Sequence, residues 1–508
     1  AKAEIRTRSA ACYCVTWVSN IFILNLHGDS RKKEVAPDGG NDENVFDIQQ
    51  GVAIGIFIKS LETSEVTNIY YMDLWGSRAE KYEYLLREDI ESSNWQVLEP
   101  SSPFYLFVPQ DSNLSSEYKE NWKVINAFPN NSVNLRTHRD RFVIDFDREE
   151  LENRIKKAID PEISDEWLRQ NYRLRDTRDW SLKQARSEVQ KISNWKERIR
   201  LCHYRPFDFR WIFYDKSFVE YPCYPVVGHY RYPNFGFTTT RQTTTLGFEH
   251  VIATKLVTEL KCASHDRGSY SFPLFPYPDS GTRKQLTFFE TAWQPDEAHG
   301  GRVPNLNPEF VAEMEAKLGL EFVAQTSEAS QTSEVSETFT PDDIFHYAYA
   351  VFHSPTYRQR YAEFLKIDFP RLPLTSDVDL FRSLCALGEA LVALHLLESP
   401  AVNDVITSYP VAGDNRVISA HPKYVPPTDG QPGRVYINKK QYFEGVPPAV
   451  WAFQVGGYQV LHKWLKDRKK RTLSYDELEH YQKIVVALRK TMDLMETIDE
   501  TIPEFPIS

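Results

Sequence analysis

The chain has 508 residues, of which 41% are hydrophobic and 26% charged, and its formal net charge is −11. This is the composition of ordinary soluble globular proteins, and the length predicts about three structural units. No apolar run approaches the roughly 18–20 residues that a membrane span needs, and the first residues do not form a secretion signal. The six cysteines form no Cys-x-x-Cys pair, which argues against a disulfide framework or a zinc site and favours the reducing cytoplasm.

Basic residues are concentrated in the middle of this acidic chain. Residues 131–290 hold 27 Lys and Arg against 22 Asp and Glu, whereas the rest of the chain holds 33 against 49. A locally basic segment in an acidic chain is typical of a surface that faces nucleic acid. Random variation of surface charge explains a balance of this size about as well, so both interpretations stay open.

The N-terminal part is predicted to form a small sheet and a helix. Three apolar, β-branched runs predict strands: 20–26, 51–59 and 67–74. The second and third are separated by a short polar segment, so we expect them to form a hairpin. Residues 78–88 have helical periodicity and place Tyr82, Leu85 and Leu86 on one face.

The middle of the chain is predicted to alternate short strands and helices. Residues 142–146 alternate as a strand, residues 147–159 have the pattern of a helix, and residues 165–200 are polar and helical. Residues 204–237 contain thirteen aromatic residues between prolines, which is typical of strands and loops. We expect these aromatic side chains to form core and not a stacking platform.

Helices dominate the predicted C-terminal part. Residues 323–339 repeat Gln-Thr-Ser-Glu and have too few apolar residues to form a core, which predicts a flexible surface loop. Thr340 is a suitable N-cap for the helix that follows, and further helices are expected in 355–366 and 378–397. Residues 400–450 are rich in Pro, Gly and Asn, which predicts loops and short strands.

The last predicted helix begins at a capping box that joins Ser474 and Glu477. Its apolar stripe is typical of plain core. A dense basic run at residues 466–471 precedes this helix. Phosphate contact and a simple cluster of charge at a helix end explain this run equally well.

Seven strings in the sequence are distinctive when taken together. They lie at 25–31 (Asn-Leu-His-Gly-Asp-Ser-Arg), 43–54, 203–211, 271–274, 343–358, 368–373 and 456–468. In this order they resemble the type ISP restriction–modification enzymes. The first two are similar to the late part of the methyltransferase domain of that family, and the others to its target-recognition region. The resemblance covers nearly all of residues 20–500 and implies a mixed α+β fold.

The resemblance implies four parts in the chain. These are the C-terminal remnant of a methyltransferase α/β sheet (1–104), a β-rich target-recognition domain (105–322), a low-complexity loop (323–339) and a helical C-terminal part of the specificity domain (340–508). Complete family members join a nuclease, an ATP-driven translocase, an adenine methyltransferase and a recognition domain. They transfer a methyl group from S-adenosylmethionine to N6 of adenine. Double-stranded DNA and the upstream domains are therefore the expected partners.

The sequence departs from the family because the catalytic motifs are missing. Adenine methyltransferases hold a flipped base with Asn/Asp-Pro-Pro-Tyr/Phe, and neither that motif, a glycine-rich cofactor turn nor a P-loop occurs here. Asp38 and Asp279 lack the Glu-x-Lys partner of a nuclease, and the histidines lack the spacing of zinc ligands. Residues 1–18 look foreign and the first Met is Met72, so we interpret the chain as a fragment. We expect S-adenosylmethionine, ATP and Mg²⁺ to be bound upstream and no cofactor to be bound by this fragment.

Polar and basic side chains on loops are the candidates for DNA recognition. Arg241 and Gln242 lie in a Thr-rich segment, where Arg can pair with guanine and Gln with adenine. A Thr-rich edge strand with a solvated Arg is the alternative. The other candidates would contact phosphates or enter a groove, and a solvated surface role is their alternative: Arg136, Arg139, Arg231, Lys255, Lys261 and Arg267.

Three functions are compatible with the sequence. The leading one is the DNA-recognition part of an adenine methyltransferase and restriction enzyme. The second is a free-standing, non-catalytic specificity module that acts with a separate catalytic chain. The third is a glycan-handling protein, suggested by the 13% of aromatic residues. That function would need paired carboxylates in a cleft, and the lack of a secretion signal argues against it.

Overall fold

The computed structural model describes residues 18–30, 34–59, 67–100, 107–109, 111–244, 247–278, 292–324 and 337–507. The chain divides into two compact units, the N-terminal unit Ala1–Ser116 and the C-terminal unit Glu117–Ser508. The four predicted parts stay a prediction. The foreign-looking start of the chain, the polar segment between the second and third predicted strands, and most of the low-complexity loop lie outside the described residues.

Short strands occur throughout both units. They are β1 (Asn20–Asn25), β2 (Ala53–Ile58), β3 (Asn68–Asp73), β4 (Gln96–Leu98), β5 (Trp122–Lys123), β6 (Ser132–Val133), β7 (Ile144–Asp145), β8 (Ile199–Arg205), β9 (Asp208–Phe213), β10 (Gly236–Thr240), β11 (Val251–Thr254), β12 (Val257–Thr258), β13 (Ser269–Pro273), β14 (Glu321–Phe322), β15 (Thr338–Phe339), β16 (Arg371–Leu372), β17 (Lys423–Val425), β18 (Arg434–Tyr436), β19 (Tyr442–Glu444), β20 (Gln454–Val455) and β21 (Tyr458–Gln459).

The longest helices lie in the last third of the chain. The helices are α1 (Arg78–Arg87), α2 (Ser112–Glu120), α3 (Val124–Ala127), α4 (Asp140–Val143), α5 (Arg148–Ile159), α6 (Asp165–Tyr172), α7 (Leu182–Val189), α8 (Pro308–Leu318), α9 (Pro341–His353), α10 (Pro355–Arg360), α11 (Ala362–Leu365), α12 (Val378–His395), α13 (Pro448–Ala452), α14 (Val460–Asp467) and α15 (Tyr475–Thr501). The predicted mixed α+β class is confirmed. No helix in the described part of the chain is long and apolar enough to cross a membrane.

The N-terminal unit contains a four-stranded sheet in the order β2–β1–β3–β4. All three predicted strands are confirmed, but the predicted hairpin of β2 and β3 is wrong, because β1 lies between them. β1 pairs antiparallel with β2 and parallel with β3. Four consecutive residues of β1 are buried, and such a run needs a neighbouring strand on each side and cover on both faces.

Helix α1 begins at the capping box formed by Ser77 and Glu80. The predicted helix is confirmed, but its predicted apolar face is wrong in part. Leu85 packs against the core cluster of Leu24, Leu26 and Val45, whereas Leu86 is 88% exposed and the fully buried side chain is Lys81. The ammonium of Lys81 lies 2.6 Å from Asp42 Oδ1 and also donates to the carbonyl of Leu26. A buried lysine is tolerated here because its charge is paired and its hydrogen bonds are made.

Two four-stranded sheets form the middle of the C-terminal unit, in the orders β11–β10–β13–β6 and β12–β8–β9–β7. The aromatic stretch 204–237 folds as the predicted strands and loops, and Phe207, Phe213 and Phe218 are fully buried core. The strand predicted at 142–146 is wrong in part, because α4 occupies its first half before β7 begins. The helical prediction for 165–200 misses the break between α6 and α7 and the entry into β8.

Three long helices, α9, α12 and α15, pack together in the C-terminal unit. The predicted starts of two of them are confirmed: Thr340 caps α9 and Ser474 caps α15, each in a capping box. The helix predicted at 355–366 forms as two short helices, α10 and α11. Gly388 allows the close approach of α12 to α9, since a Cβ atom there would lie 1.9 Å from the carbonyl oxygen of His346.

Candidate nucleic-acid interface

Loops from several strands gather at one end of the sheet β11–β10–β13–β6. The last residues of β10 and β6 lie beside the first residues of β13 and β11 in this antiparallel sheet. Leu260 joins them, since its N–H donates to Leu135 O and its carbonyl accepts from Ser269 N, both at 2.8 Å. The segments beyond these strand ends therefore lie together, and we call them the loop edge: residues 134–136, 241–244, 247–250 and 260–268.

A fully buried asparagine holds the strands beneath the loop edge. The Asn134 amide nitrogen donates to Thr238 Oγ1 at 2.8 Å and to Ser269 Oγ at 3.0 Å. Its Oδ1 accepts from Ser271 Oγ at 2.5 Å. Since a buried polar network with its bonds made is rigid, this network fixes the positions from which the loops leave the sheet.

Arg241 and Gln242 leave β10 at the loop edge. β10 is an inner strand, so the segment is not the solvated edge strand of the alternative interpretation. Arg241 Nε lies 3.2 Å from Asp368 Oδ1, and its side chain remains 45% exposed. The Gln242 amide donates to the carbonyl of Ile367 at 3.3 Å. Both residues thus have a defined position and remain at least partly exposed.

Lys261 and Arg267 lie on the neighbouring loop of the same edge. The side chain of Arg267 is 44% exposed, and its Nε lies 3.7 Å from Asp266 Oδ2. Lys261 is partly exposed. Burial by itself would raise the pKa of Asp266, but hydrogen bonds from Thr244 and Ser264 outweigh it and lower that pKa. Asp266 is therefore a charged acceptor that orders this loop.

A hairpin of β20 and β21 packs against the loop of residues 260–268. Gly456 at its turn has φ +60°, and a Cβ atom there would lie 2.3 Å from the carbonyl oxygen of Ala263. The Gly456 carbonyl accepts from His265 N at 2.9 Å, and the Tyr458 hydroxyl donates to Lys261 O at 2.9 Å. The turn therefore requires glycine at position 456, and the hairpin holds the loop through hydrogen bonds to His265 and Lys261.

The two arginines of the predicted 136–139 turn have different surroundings. The Arg136 guanidinium carbon stacks 4.3 Å from the centre of the Tyr221 ring, which is 41% exposed. Arg139 is only 8% exposed, with Nη2 2.9 Å from Glu220 and its guanidinium carbon 3.6 Å from the centre of the Trp180 ring. Burial also lowers the pKa of Arg139. This placement favours a structural role for Arg139, and its predicted DNA contact stays a prediction.

Arg231 and Lys255 lie at the opposite end of the sheet. Arg231 precedes β10 and Lys255 follows β11, and the two strands are paired at that end. Arg231 Nε donates to Gly228 O at 3.0 Å, and Lys255 Nζ lies 2.6 Å from Glu398. The structure therefore separates these two candidates from Arg136, Arg241, Gln242, Lys261 and Arg267 at the loop edge.

A buried histidine beneath the loop edge is neutral near pH 7. Burial lowers the pKa of His250 to about 3, and its ring nitrogen Nε2 lies 3.1 Å from Thr243 Oγ1. Burial also raises the pKa of Glu249. The loop edge carries four cations, Arg136, Arg241, Lys261 and Arg267, against the two carboxylates Glu249 and Asp266. This positive balance favours a polyanionic partner.

Two supporting aromatic residues were missed in the sequence, Tyr221 beneath Arg136 and Tyr458 beneath Lys261. The sequence Gly-Gly-Tyr at 456–458 is typical of a hairpin turn and could have indicated Tyr458. Tyr221 has no local signal, because the contact joins segments 85 residues apart. Within the described residues, no group of His, Cys, Asp or Glu side chains could hold a metal ion.

Residues 126–497 match the family described as the Type ISP C-terminal specificity domain. The chain therefore belongs to this family. No curated protein sequence matches it significantly.

The fold is similar to those of three solved proteins. A nuclease-deletion mutant of the Type ISP restriction–modification enzyme LlaGI, in complex with a DNA substrate mimic, aligns with 100% of this chain at 20% identity and a TM-score of 0.63. The ATP-dependent Type ISP enzyme LlaBIII bound to DNA aligns with 98% at 19% identity and 0.65. A DrdV–DNA complex aligns with 100% at 20% identity and 0.64. The chain spans 39%, 32% and 50% of these proteins, respectively.

Proposed function

We propose that the loop edge recognises a DNA sequence for a restriction–modification system. This proposal rests on one observation: five residues whose chemistry suits DNA lie together at one end of the sheet. Membership of the Type ISP specificity family supports it, as do the DNA complexes of the three proteins with a similar fold.

The five residues divide by chemistry into two roles. Arg241 and Gln242 are adjacent on an ordered segment, and their side chains suit bidentate pairing with guanine and adenine in the major groove. Arg136, Lys261 and Arg267 flank them and would contact phosphates, which position a protein on the duplex. Asp368 holds Arg241 at 3.2 Å, and the Arg241 side chain stays 45% exposed, so it remains accessible to a base.

We also propose that the chain acts as part of a complete, cytoplasmic enzyme. S-adenosylmethionine, ATP and Mg²⁺ would then be bound by other parts of that enzyme. The contacts among the groups at the carboxyl ends of β1 and β3 support this proposal, because these groups bond to one another. His27 Nε2 lies 2.6 Å from Asp73, Nδ1 lies 3.1 Å from Glu34, and the ring stacks on Trp75 with centroids 3.3 Å apart.

The test is duplex binding by the full chain and the variant Arg241→Ala. The preferred site is first selected from random duplexes. Loss of a bidentate contact should cost about 1–3 kcal/mol on that site and relax the preference at one base position. The matched control is Arg489→Ala on α15, an arginine 48% exposed and paired with Asp493 at 3.0 Å.

Three outcomes separate the possibilities. Equal losses on all sequences would assign Arg241 to a phosphate. Unchanged affinity, as expected for Arg489→Ala, would remove Arg241 from the interface. Failure of the unaltered chain to prefer any sequence would contradict the proposed function itself.

A further inference from the structure

A second basic surface lies in the C-terminal unit, away from the sheet that carries the loop edge. Three segments form it: 415–423, 436–441 and 466–471. The first and third are joined by hydrogen bonds from Val417 N to Arg471 O at 2.9 Å and from Lys470 N to Val417 O at 2.6 Å. The first and second are joined by the pairing of β17 with β18. The surface, which we call the lysine patch, comprises Arg416, Lys423, Lys439, Lys440, Lys466, Lys469 and Lys470.

The charges of the lysine patch are not neutralised. None of its seven side chains has an ion pair with a carboxylate among the residues that the structure describes. Neighbouring cations differ in this respect: Arg468 is buried against Asp208 and Glu477, and Lys463 pairs with Asp467. Six of the seven patch residues are exposed and Lys469 is partly exposed. The basic run at 466–471 thus divides into arginines that hold the fold together and lysines that face solvent.

Lysines of the patch lower the pKa of two neighbouring histidines. Burial lowers the pKa of His462, and the neighbouring Lys466 and Lys469 lower it further. Burial also lowers the pKa of His421, with Lys423 and Lys469 adding to the effect. His421 is 7% exposed, and its Nδ1 has no hydrogen-bond partner within the described residues. Repulsion among these clustered lysines is relieved when an anion binds beside them.

The position of the patch indicates which anion it contacts. Helix α14 starts directly after the β20–β21 hairpin that supports the loop edge, and it ends at the lysines. Its eight residues span about 12 Å, and each strand of a duplex carries a phosphate about every 3.4 Å along its axis. The lysines therefore lie about one 12 Å helix length from the hairpin that contacts the loop edge, a length that a few base pairs of a duplex span.

We propose that the lysine patch binds the phosphate backbone of the duplex that the loop edge recognises. This inference rests on the proposed function and adds a contact that carries no sequence information. The seven cations account for part of the affinity of a chain whose net charge is otherwise unfavourable for DNA. Sequence preference is left to the loop edge.

The experiment compares two triple variants of the full chain. Lys466→Gln, Lys469→Gln and Lys470→Gln remove three charges from the patch. Lys156→Gln, Lys183→Gln and Lys191→Gln remove three exposed charges elsewhere, from side chains without an ion pair in the described structure. Binding is measured on the selected site and on a scrambled duplex, each of about 30 base pairs or roughly three helical turns, over a range of salt concentrations.

The patch variant should bind both duplexes at least about tenfold more weakly at near-physiological salt, with the ratio between them unchanged. Its log–log salt slope should flatten by about two to three units, since each phosphate contact contributes about 0.9. The control variant should bind like the unaltered chain, and both should keep its melting temperature.

The outcomes distinguish this inference from the proposed function. Equal affinity and slope for the two triple variants, with sequence preference intact, would overturn the inference and leave the function standing. A loss confined to the selected site would also overturn it, because the patch would then read bases. Binding of the patch to vesicles of anionic lipid, without an effect on duplex affinity, would assign it to a membrane surface instead. Absence of duplex binding by the unaltered chain would contradict the function.

Discussion

Arg136 and Arg139 show how one short string can contain two kinds of arginine. In the sequence both belong to a basic turn with the same candidate role. In the structure Arg136 stacks on an exposed tyrosine, whereas Arg139 is enclosed by Trp180 and Glu220. The difference arises because two residues 41 and 81 positions downstream, Trp180 and Glu220, bury Arg139, whereas Arg136 stacks on the exposed Tyr221. The same division between exposed and buried cations occurs near the other end of the chain, where Lys466 and Lys470 are exposed and Arg468 is buried.

Replacing Arg139 should affect stability and not DNA affinity. Arg139→Ala leaves Glu220, whose side chain is 8% exposed, with His138 as its remaining partner. Breaking a buried pair in this way costs about 3–5 kcal/mol. The control Arg136→Ala should change the free energy of unfolding by less than about 1 kcal/mol. Urea unfolding of the two variants, followed by duplex binding of the folded fraction, checks the prediction. An unaltered unfolding curve for Arg139→Ala would contradict it.

A buried chain of hydrogen bonds connects four elements of the C-terminal unit. Ala253 N on β11 donates to the Tyr349 hydroxyl on α9, which donates to Nδ1 of His395 on α12. The Nε2 of His395 lies 3.0 Å from Thr491 Oγ1 on α15, and Thr491 donates to Ala487 O. Because Thr491 donates to Ala487 O, these contacts assign to His395 the neutral form with its proton on Nε2. The loop edge thus has a rigid base, because β11 is anchored to the three helices.

This chain of bonds makes stability depend on pH. Burial lowers the pKa of His395 to about 3, below its value of about 6.5 in the unfolded chain. The contribution of neutral His395 is therefore complete above about pH 6.5. It is lost as the pH falls towards 3, by up to about 1.4 kcal/mol per pH unit.

Urea unfolding at several pH values checks this dependence with the variant His395→Gln. The variant should be less stable than the unaltered chain near pH 7, and the difference should narrow below about pH 6. A difference that stays constant down to pH 5 would show that His395 does not titrate in this way.

At the scale of the whole molecule, the chain consists of two compact units with different surfaces. The N-terminal unit presents β2 as an edge strand whose residues Ile54, Ile56, Phe57 and Ile58 are 36–43% exposed. Edge strands with exposed apolar side chains are sites of association. The family match at residues 126–497 falls entirely within the C-terminal unit. The candidate interface and the lysine patch lie there as well.

Removing residues 1–116 should therefore leave a chain that unfolds cooperatively and binds duplex DNA with undiminished affinity. It should also bind less of a dye that detects exposed apolar surface, because β2 is gone. The double variant Ile56→Thr and Phe57→Thr in the full chain is the matched control, and it should lower dye binding without changing the melting of the C-terminal unit. Loss of cooperative unfolding in the shortened chain would show that the C-terminal unit depends on the N-terminal one.

The sequence by itself determined the features that depend on neighbouring residues. The capping boxes at Ser77, Thr340 and Ser474 start their helices because each side-chain oxygen accepts from a backbone N–H three residues away. The apolar runs at 20–26 and 51–59 form strands because their apolar and β-branched residues favour extended backbone. The strings that resemble the family also indicated its specificity domain, which the family match bears out.

Only the tertiary structure decided which strands pair and which charges are buried. The expected hairpin did not form because β1 lies between β2 and β3 and pairs with both. Lys81 is buried, unlike Leu86, because Asp42 pairs with its charge. The loop edge forms because β6 and β10 end, and β13 begins, at the same end of one sheet. The first and the last of these strands are more than 100 residues apart in the chain. Such outcomes depend on long-range burial and pairing, whose free energies are settled between distant segments and leave no periodic signal along the chain.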